Sequence, residues 1–177
     1  GIMEVGARFE KGEYYISELV MSGEIFAGVM KEVGPSMGKV QQGPSLGKVV
    51  IGTVKDDIHD IGKNIVVMFL KGSGFEVIDL GVDVPPDVFA AKAIETKPDI
   101  VGLSGLITAS FETMKETISA LREEAQRHGL AFPVIIGGGM SDNQVRQYVG
   151  ADYWMPDAMA GVRLCEELLA GTYRGNG

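Results

Sequence analysis

Cysteine is almost absent from this chain. Cys165 is the only one in 177 residues. A single thiol closes no intramolecular disulfide and builds no thiolate metal cluster, so the fold must rest on packing, and a reducing compartment suits it. Histidine is nearly as scarce, with His59 and His128 only. No run of about 18 apolar residues occurs, which excludes a spanning helix. The N-terminus lacks the charged-then-apolar pattern of a signal peptide. A soluble, cytoplasmic protein with no membrane partner is the expectation. Positive charge is also short. Lys and Arg number 16 against 24 Asp and Glu, a net charge of −8. Such a surface repels phosphate backbones, so nucleic acid is not an expected partner. An initiator methionine is missing before Gly1, and the chain reads as truncated at its N-terminus.

What is present is an ordinary globular mixture, 45% hydrophobic and 23% charged, long enough for one domain and a modest extra segment. Glycine stands out at 25 residues, roughly twice the usual share of about 7%. No Gly-X-Y repeat accounts for them. Two regions differ in texture. In residues 1–45, Ile16, Leu19, Val20, Phe26, Met30 and Val33 recur at helical spacing between Tyr14 and Val33, predicting one apolar helix face. Gly34 to Gly47, with two prolines and four glycines, reads as a linker. One long helix and a short one cannot bury their own stripe, so this segment must pack on the next domain, on a second copy in a homo-oligomer, or on a missing part of the chain.

From residue 46 to 177 the pattern alternates. Lys48–Thr53, Phe75–Leu80, Ile100–Leu103, Pro133–Ile136 and Tyr153–Met155 read as short buried strands. Ile61–Gly72, Pro85–Glu95, Ser110–His128, Asp142–Val149 and Ala158–Ala170 read as helices. In the first of these helices Ile61, Ile65, Met68 and Phe69 share a side. Five such units predict an α/β fold, a doubly wound five-stranded parallel sheet. Ligands bind such sheets beyond the carboxyl ends of the strands.

Three loops belong at that edge: Val54–Asn64 (VKDDIHDIGKN), Ser104–Ser110 (SGLITAS) and Gly137–Asp142 (GGGMSD). Their glycines suit places where a ligand meets backbone. His59 lies in the first loop between Asp57 and Asp60. A carboxylate on one ring nitrogen fixes the tautomer and leaves the other nitrogen free for a metal. One histidine is too few for a tetrahedral zinc site, but a metal held by its own macrocycle needs only one axial ligand. His128 reads as a solvated helix-end histidine, and Cys165, among Val162, Leu164 and Leu168, as a buried small hydrophobe. Phosphoacceptor receiver domains also place an acidic pair like Asp56-Asp57 after strand one. They need an acceptor Asp after strand three, and none occurs between Ile100 and Phe111. The acidic VKDDIHD is the wrong charge for a flavodoxin phosphate loop, and the Gly-x-Gly-x-x-Gly of dinucleotide sites is absent.

Asp57-x-His59-x-x-Gly62, then Ser104-x-Leu106, then Gly137-Gly138 resembles the cobalamin-binding motif of methionine synthase and of the corrinoid proteins in methanol and methylamine methyltransferase systems. DIHDIGKNIV and VGLSGLITAS resemble that family beyond the motif letters. The likeness covers roughly residues 46 to 171, and GARFEKGEYYISELVMSGEIFAGVM resembles the second half of the family's helical cap. It implies a flavodoxin-like, cobalamin-binding type of sheet and a Rossmann-like cofactor domain. It implies a cobamide bound with its own lower base detached and His59 as the lower cobalt ligand. Asp57 would bond the other ring nitrogen and Ser110 would extend the relay. The loop Ile58, Asp60, Ile61 and Gly62 would lie beneath the corrin. Ser104 would bond the detached base, Gly105 and Leu106 would line a slot between strands one and three, Thr108 would stand beside it, and Gly137, Gly138 and Gly139 would let the nucleotide tail pass. The resemblance implies a non-catalytic methyl carrier that serves a substrate-specific methyltransferase and a second methyltransferase with a folate or thiol acceptor. The alternative is the cobalamin-binding small subunit of a carbon-skeleton mutase, which the cap-like helix argues against. A cobalamin light sensor would need a DNA-binding domain that this acidic chain lacks.

Overall fold

The computed structural model describes residues 1–37 and 45–173, without the side chains of Met30 and residues 33–37. Two helices come first, α1 (Ile2–Glu10) and α2 (Ile16–Met37). There follow β1 (Lys48–Thr53), α3 (Ile61–Ser73), β2 (Glu76–Asp79), α4 (Pro86–Thr96), β3 (Ile100–Ser104), α5 (Ser110–His128), β4 (Val134–Gly137), α6 (Asn143–Val149), β5 (Tyr153–Met155) and α7 (Ala158–Ala170). The five strands pair in the order β2-β1-β3-β4-β5, and every pairing is parallel.

Alternation along the strands sorts the core. Val50, Val101, Val134 and Ile136 face one side, where Phe89 of α4 and Met114, Ile118 and Leu121 of α5 close over them. Val49, Ile100 and Ile135 face the other, against Phe69 and Leu70 of α3 and Val162, Leu164 and Cys165 of α7. Side chains with a period of two on strands buried on both faces require helices on both faces. The chain leaves β1 toward β2 on one side and leaves β3 toward β4 on the other, so the loops after β1 and β3 splay apart where the order reverses. That crevice receives the loops after β1 and β3, with the loop after β4 beside them.

The N-terminal helices add to the α3–α7 face. Leu19 is buried in the same cluster as Met68, Phe69 and Met159, with Ile2, Phe9 and Phe26 packed against it. Here two expectations are corrected. Ile16 and Val20 are exposed. The face that packs is Leu19, Gly23 and Phe26, because Gly23 allows Met68 of α3 to come within 3.1 Å of where a Cβ would stand. Gly34–Met37 continues α2 and is not linker. Proline keeps φ near the helical value, so the helix can run through Pro35, but at the loss of one i→i−4 bond. The rest of the expected linker up to residue 44 lies outside the described residues, as do the side chains of Met30 and Val33. On α3, Ile61 is exposed, and Val67 and Leu70 join Met68 and Phe69 in the core. No helix among the described residues is long and apolar enough to cross a membrane.

Candidate functional site

Asp57 lies at the centre of the carboxyl edge. It is 1% exposed, and its two oxygens collect donors from three segments. Oδ1 accepts the His59 backbone N–H at 3.0 Å and the His59 ring Nδ1–H at 2.7 Å. Oδ2 accepts the Leu106 N–H at 2.7 Å. The Ser110 Oγ lies 2.7 Å from both Asp57 Oδ2 and the Ile107 carbonyl, and its one proton serves one acceptor at a time. Burial alone would push the Asp57 carboxyl up. The N–H donors of His59 and Leu106, Ser110 and the imidazole outweigh it and hold the group well below the usual carboxylate range. Asp57 is therefore an anion at neutral pH, and the proton between the two residues belongs on His59 Nδ1.

The other face of His59 is open. Its side chain is 51% exposed, and Nε2 carries no partner among the described residues. The backbone is held too, since the Thr53 hydroxyl at the end of β1 donates to the His59 carbonyl at 3.1 Å. Exposed apolar side chains share this edge: Ile58 and Ile61 before and in α3, Leu106 and Ile107 after β3, and Met140 after β4. Asp60 stands at the N-terminus of α3, where it accepts from Asn64 Nδ2 at 3.0 Å.

A cavity of about 360 Å³ opens beside this loop and runs down between the sheet and the helices α3 and α7. Gly62 and Lys63 stand at its wall, with Ile51, Gly102, Ser104, Gly137, Gly138 and Gly139 along it and Met155, Met159 and Cys165 farther on. Phe9, Ile16 and Leu19 of the first two helices border it as well. Gly62 has open space where a Cβ would stand. Gly105, Leu106 and Thr108 are not among the walls. Gly105 packs against Met114 and Ser110, and a Cβ there would sit 2.6 Å from Met114. Leu106 contributes its amide to Asp57, and Thr108 is exposed. Gly138, at φ 133°, would drive a Cβ to 1.8 Å from the Gly105 carbonyl oxygen, so its bareness first serves the contact of the two loops.

His59, Asp57 and Ser110 are thus brought together as the motif spacing indicates. Thr53 and the Leu106 amide were not singled out from the sequence, because a strand-end threonine and a main-chain N–H carry no pattern of their own. Lys63 was likewise unmarked. It is buried at 3% exposure, and its Nζ donates to both oxygens of Asp79 at 2.7 and 2.8 Å and to Asn64 Oδ1 at 2.7 Å. His128 is exposed at the end of α5, with Nδ1 on the Glu124 carbonyl, and Cys165 is buried. Among the described residues no group of three His, Cys, Asp or Glu side chains could hold a metal ion, so His59 offers one bond and no cage.

The B12 binding domain family matches this chain over residues 47–163. A dimethylamine corrinoid protein of Methanosarcina barkeri is 36% identical over 96% of this chain and 79% of its own length. The crystal structure of a cobalamin-binding protein from Desulfitobacterium hafniense DCB-2 superposes with a TM-score of 0.75 at 41% identity, covering 94% of this chain and 77% of that one. The methanol:cobalamin methyltransferase complex MtaBC of Methanosarcina barkeri shares the fold, with a TM-score of 0.79 at 24% identity over 97% of this chain and 64% of the other.

Proposed function

Because this chain belongs to the B12 binding domain family, we propose that it carries a cobamide with His59 as the lower cobalt ligand and serves as the methyl carrier of a methyltransferase system. The observation that carries this reading is the His59 ring, tied by Nδ1 to a buried carboxylate at 2.7 Å with Nε2 bare. The surroundings fit a corrinoid in three respects. A flat macrocycle needs an apolar seat, and Ile58, Ile61, Leu106, Ile107 and Met140 are exposed on the same edge. A detached base needs a slot, and the cavity leads away from Gly62 past Ser104 and Gly137–Gly139. A metal chelated by its ring needs one protein ligand, and His59 supplies one.

When bound, the corrinoid supplies a cobalt centre that accepts and releases a methyl group. The chain's own residues set the conditions. Asp57 keeps the proton at His59 Nδ1, so Nε2 presents its lone pair upward. Leu106 N–H and Ser110 Oγ hold the Asp57 carboxylate and stop it from turning away. Asp57, held as an anion beside Nδ1, would balance charge at the ring whenever the cobalt changes its ligands. Residues 46–177 form the corrinoid-binding unit in this reading, and residues 1–45 are a partial helical cap segment and linker. The partners are a substrate-specific methyltransferase and a second one with a folate or thiol acceptor. Support for a methyltransferase partner comes from the methyltransferase complex that shares the fold, and the second partner rests on the resemblance alone. The mutase alternative gains nothing from these relatives.

The test is electron paramagnetic resonance of the chain loaded with cob(II)alamin. A nitrogen ligand splits the cobalt lines into triplets. Growth on ¹⁵N-histidine is expected to turn the wild-type triplets into doublets, whereas His59→Gln, with the cobalamin's own base back on cobalt, keeps triplets whatever the label. A wild-type splitting unaffected by the label removes His59 as ligand.

A further inference from the structure

Asp56 and Asp83 are two of the three non-glycine residues with positive φ among those described, at 65° and 54°. They are bound to each other's segments. The Asp56 N–H donates to Asp83 Oδ1 at 2.8 Å. The Asp83 N–H donates to the Asp57 carbonyl at 3.0 Å, and the Val84 N–H to the Thr53 carbonyl at 3.0 Å. Val54 and Val84 form a parallel bridge beyond the end of the sheet. The loop after β2 therefore extends the β-ladder along the loop after β1 and stops at Asp57, two residues before the histidine. Left-handed backbone is unfavourable for residues with a Cβ, though Asp tolerates it better than most. Two consecutive-loop aspartates in that conformation persist only where bonds on both sides hold them.

We propose that Asp83 is a positioning residue for His59. Its side chain fixes the left-handed turn at Asp56. Its own amide fixes the carbonyl of Asp57. Together they set the direction from which the carboxylate meets Nδ1, and so the aim of Nε2. Asp83 touches neither the imidazole nor the cavity wall, and it acts only through residues 56 and 57. The proposal rests on the His59 ligand reading and adds a residue from a different loop to it.

Three chains loaded with cob(II)alamin separate the two ideas. Asp83→Asn keeps an acceptor oxygen and tolerates positive φ. Asp83→Gly keeps the backbone conformation and loses the acceptor. Wild type and Asp83→Asn are expected to show the same histidine nitrogen splitting. Asp83→Gly is expected to shift the ratio of histidine-on to histidine-off cobalt about fivefold toward off, the effect of one hydrogen bond. In the cofactor-free chain, ¹⁵N shifts of His59 should show the Nδ1–H tautomer losing ground by a similar factor. Wild-type splitting with an unchanged Asp83→Gly overturns the positioning role and leaves the ligand reading intact. Absence of histidine-derived splitting in wild type overturns the ligand reading, and the tautomer ratio then decides on Asp83 by itself. If Asp83→Gly folds but takes up no cobamide, an unchanged tautomer ratio overturns the proposal. If it does not fold, the proposal is overturned too, because Asp83 then holds the domain and not the histidine.

Discussion

Asp57 and Cys165 are both buried, and the same burial acts on them with opposite outcomes. Desolvation disfavours the charged form of each. Asp57 is met by backbone and side-chain donors from two loops and stays an anion. Cys165 meets no donor set. Burial first, and the nearby charge of Glu166 second, push its thiol up to about 12. The unfolded thiol titrates near 8.5. The folded chain therefore holds its proton more tightly, so this contribution to stability is complete below about pH 8.5 and drains away as pH rises toward 12. Relative to Cys165→Ala, which has no such proton, the wild-type chain should lose about 2 kcal/mol between pH 8.5 and pH 10. Urea titrations at the two pH values check it. A thiol reagent at pH 8 should meanwhile find no group in the native chain and one in denaturant. The cysteine's burial was legible from its run of aliphatic neighbours, whereas the neighbours of His59 offered Asp57 and Asp60 alike, and only the family resemblance chose between them.

Among the elements, the helices and strands from Lys48 onward follow their sequence signals closely. The helices Ser110–His128 and Ala158–Ala170 and the strand Tyr153–Met155 have the expected limits. Periodicity and terminal glycines mark them, and each has a two-sided core to settle into. The α2 helix departs from expectation because the Gly34-Pro35 pair reads as a stop, and because helical spacing alone cannot say which of two adjacent apolar faces meets a neighbour. The loops hide another distinction. Their glycines look alike in sequence and do different things. Gly138 lies against the Gly105 backbone with φ 133°, whereas Gly62 opens onto the cavity. Gly138→Ala puts a Cβ into a carbonyl oxygen that no rotamer change can move. It should destabilise the chain by about 3 kcal/mol. Gly62→Ala lies in a helix with open space, so stability should hold or rise by up to about 1 kcal/mol, while cobamide affinity falls. Denaturation midpoints and equilibrium binding of cobalamin, measured on both variants, distinguish the two. Equal losses of stability would mean that Gly62 also serves packing.

For the molecule as a whole, the decisive relation is between the N-terminal helices and the sheet. Composition and texture divide the chain near residue 45, and a sequence reading makes two regions of it. Across that boundary the apolar residues pack on the sheet domain, one of the three places open to them. Leu19 is 2% exposed and lies in one continuous cluster with Val49 of β1, Phe69 of α3 and Val162 of α7. Arg163 of α7 reaches Glu10 of α1 at 2.7 Å. Gly6 lets Met159 and Phe69 close against α1, where a Cβ would stand 2.5 Å from the Met159 sulfur. Helices that share a core with a sheet should melt with it. Removing the Leu19 side chain to alanine leaves a cavity at this junction and should cost about 3 kcal/mol. For a chain of this size that lowers the melting midpoint by roughly 6–12 °C. Calorimetry should show one transition in both chains, moved as a unit in Leu19→Ala. Two transitions, with only a minor early one displaced, would mean that α1 and α2 rest on the α/β unit without belonging to its core. The cavity that borders Phe9, Ile16 and Leu19 would then lose part of its wall before the sheet unfolds, and cobamide would be released at the first transition and not at the second.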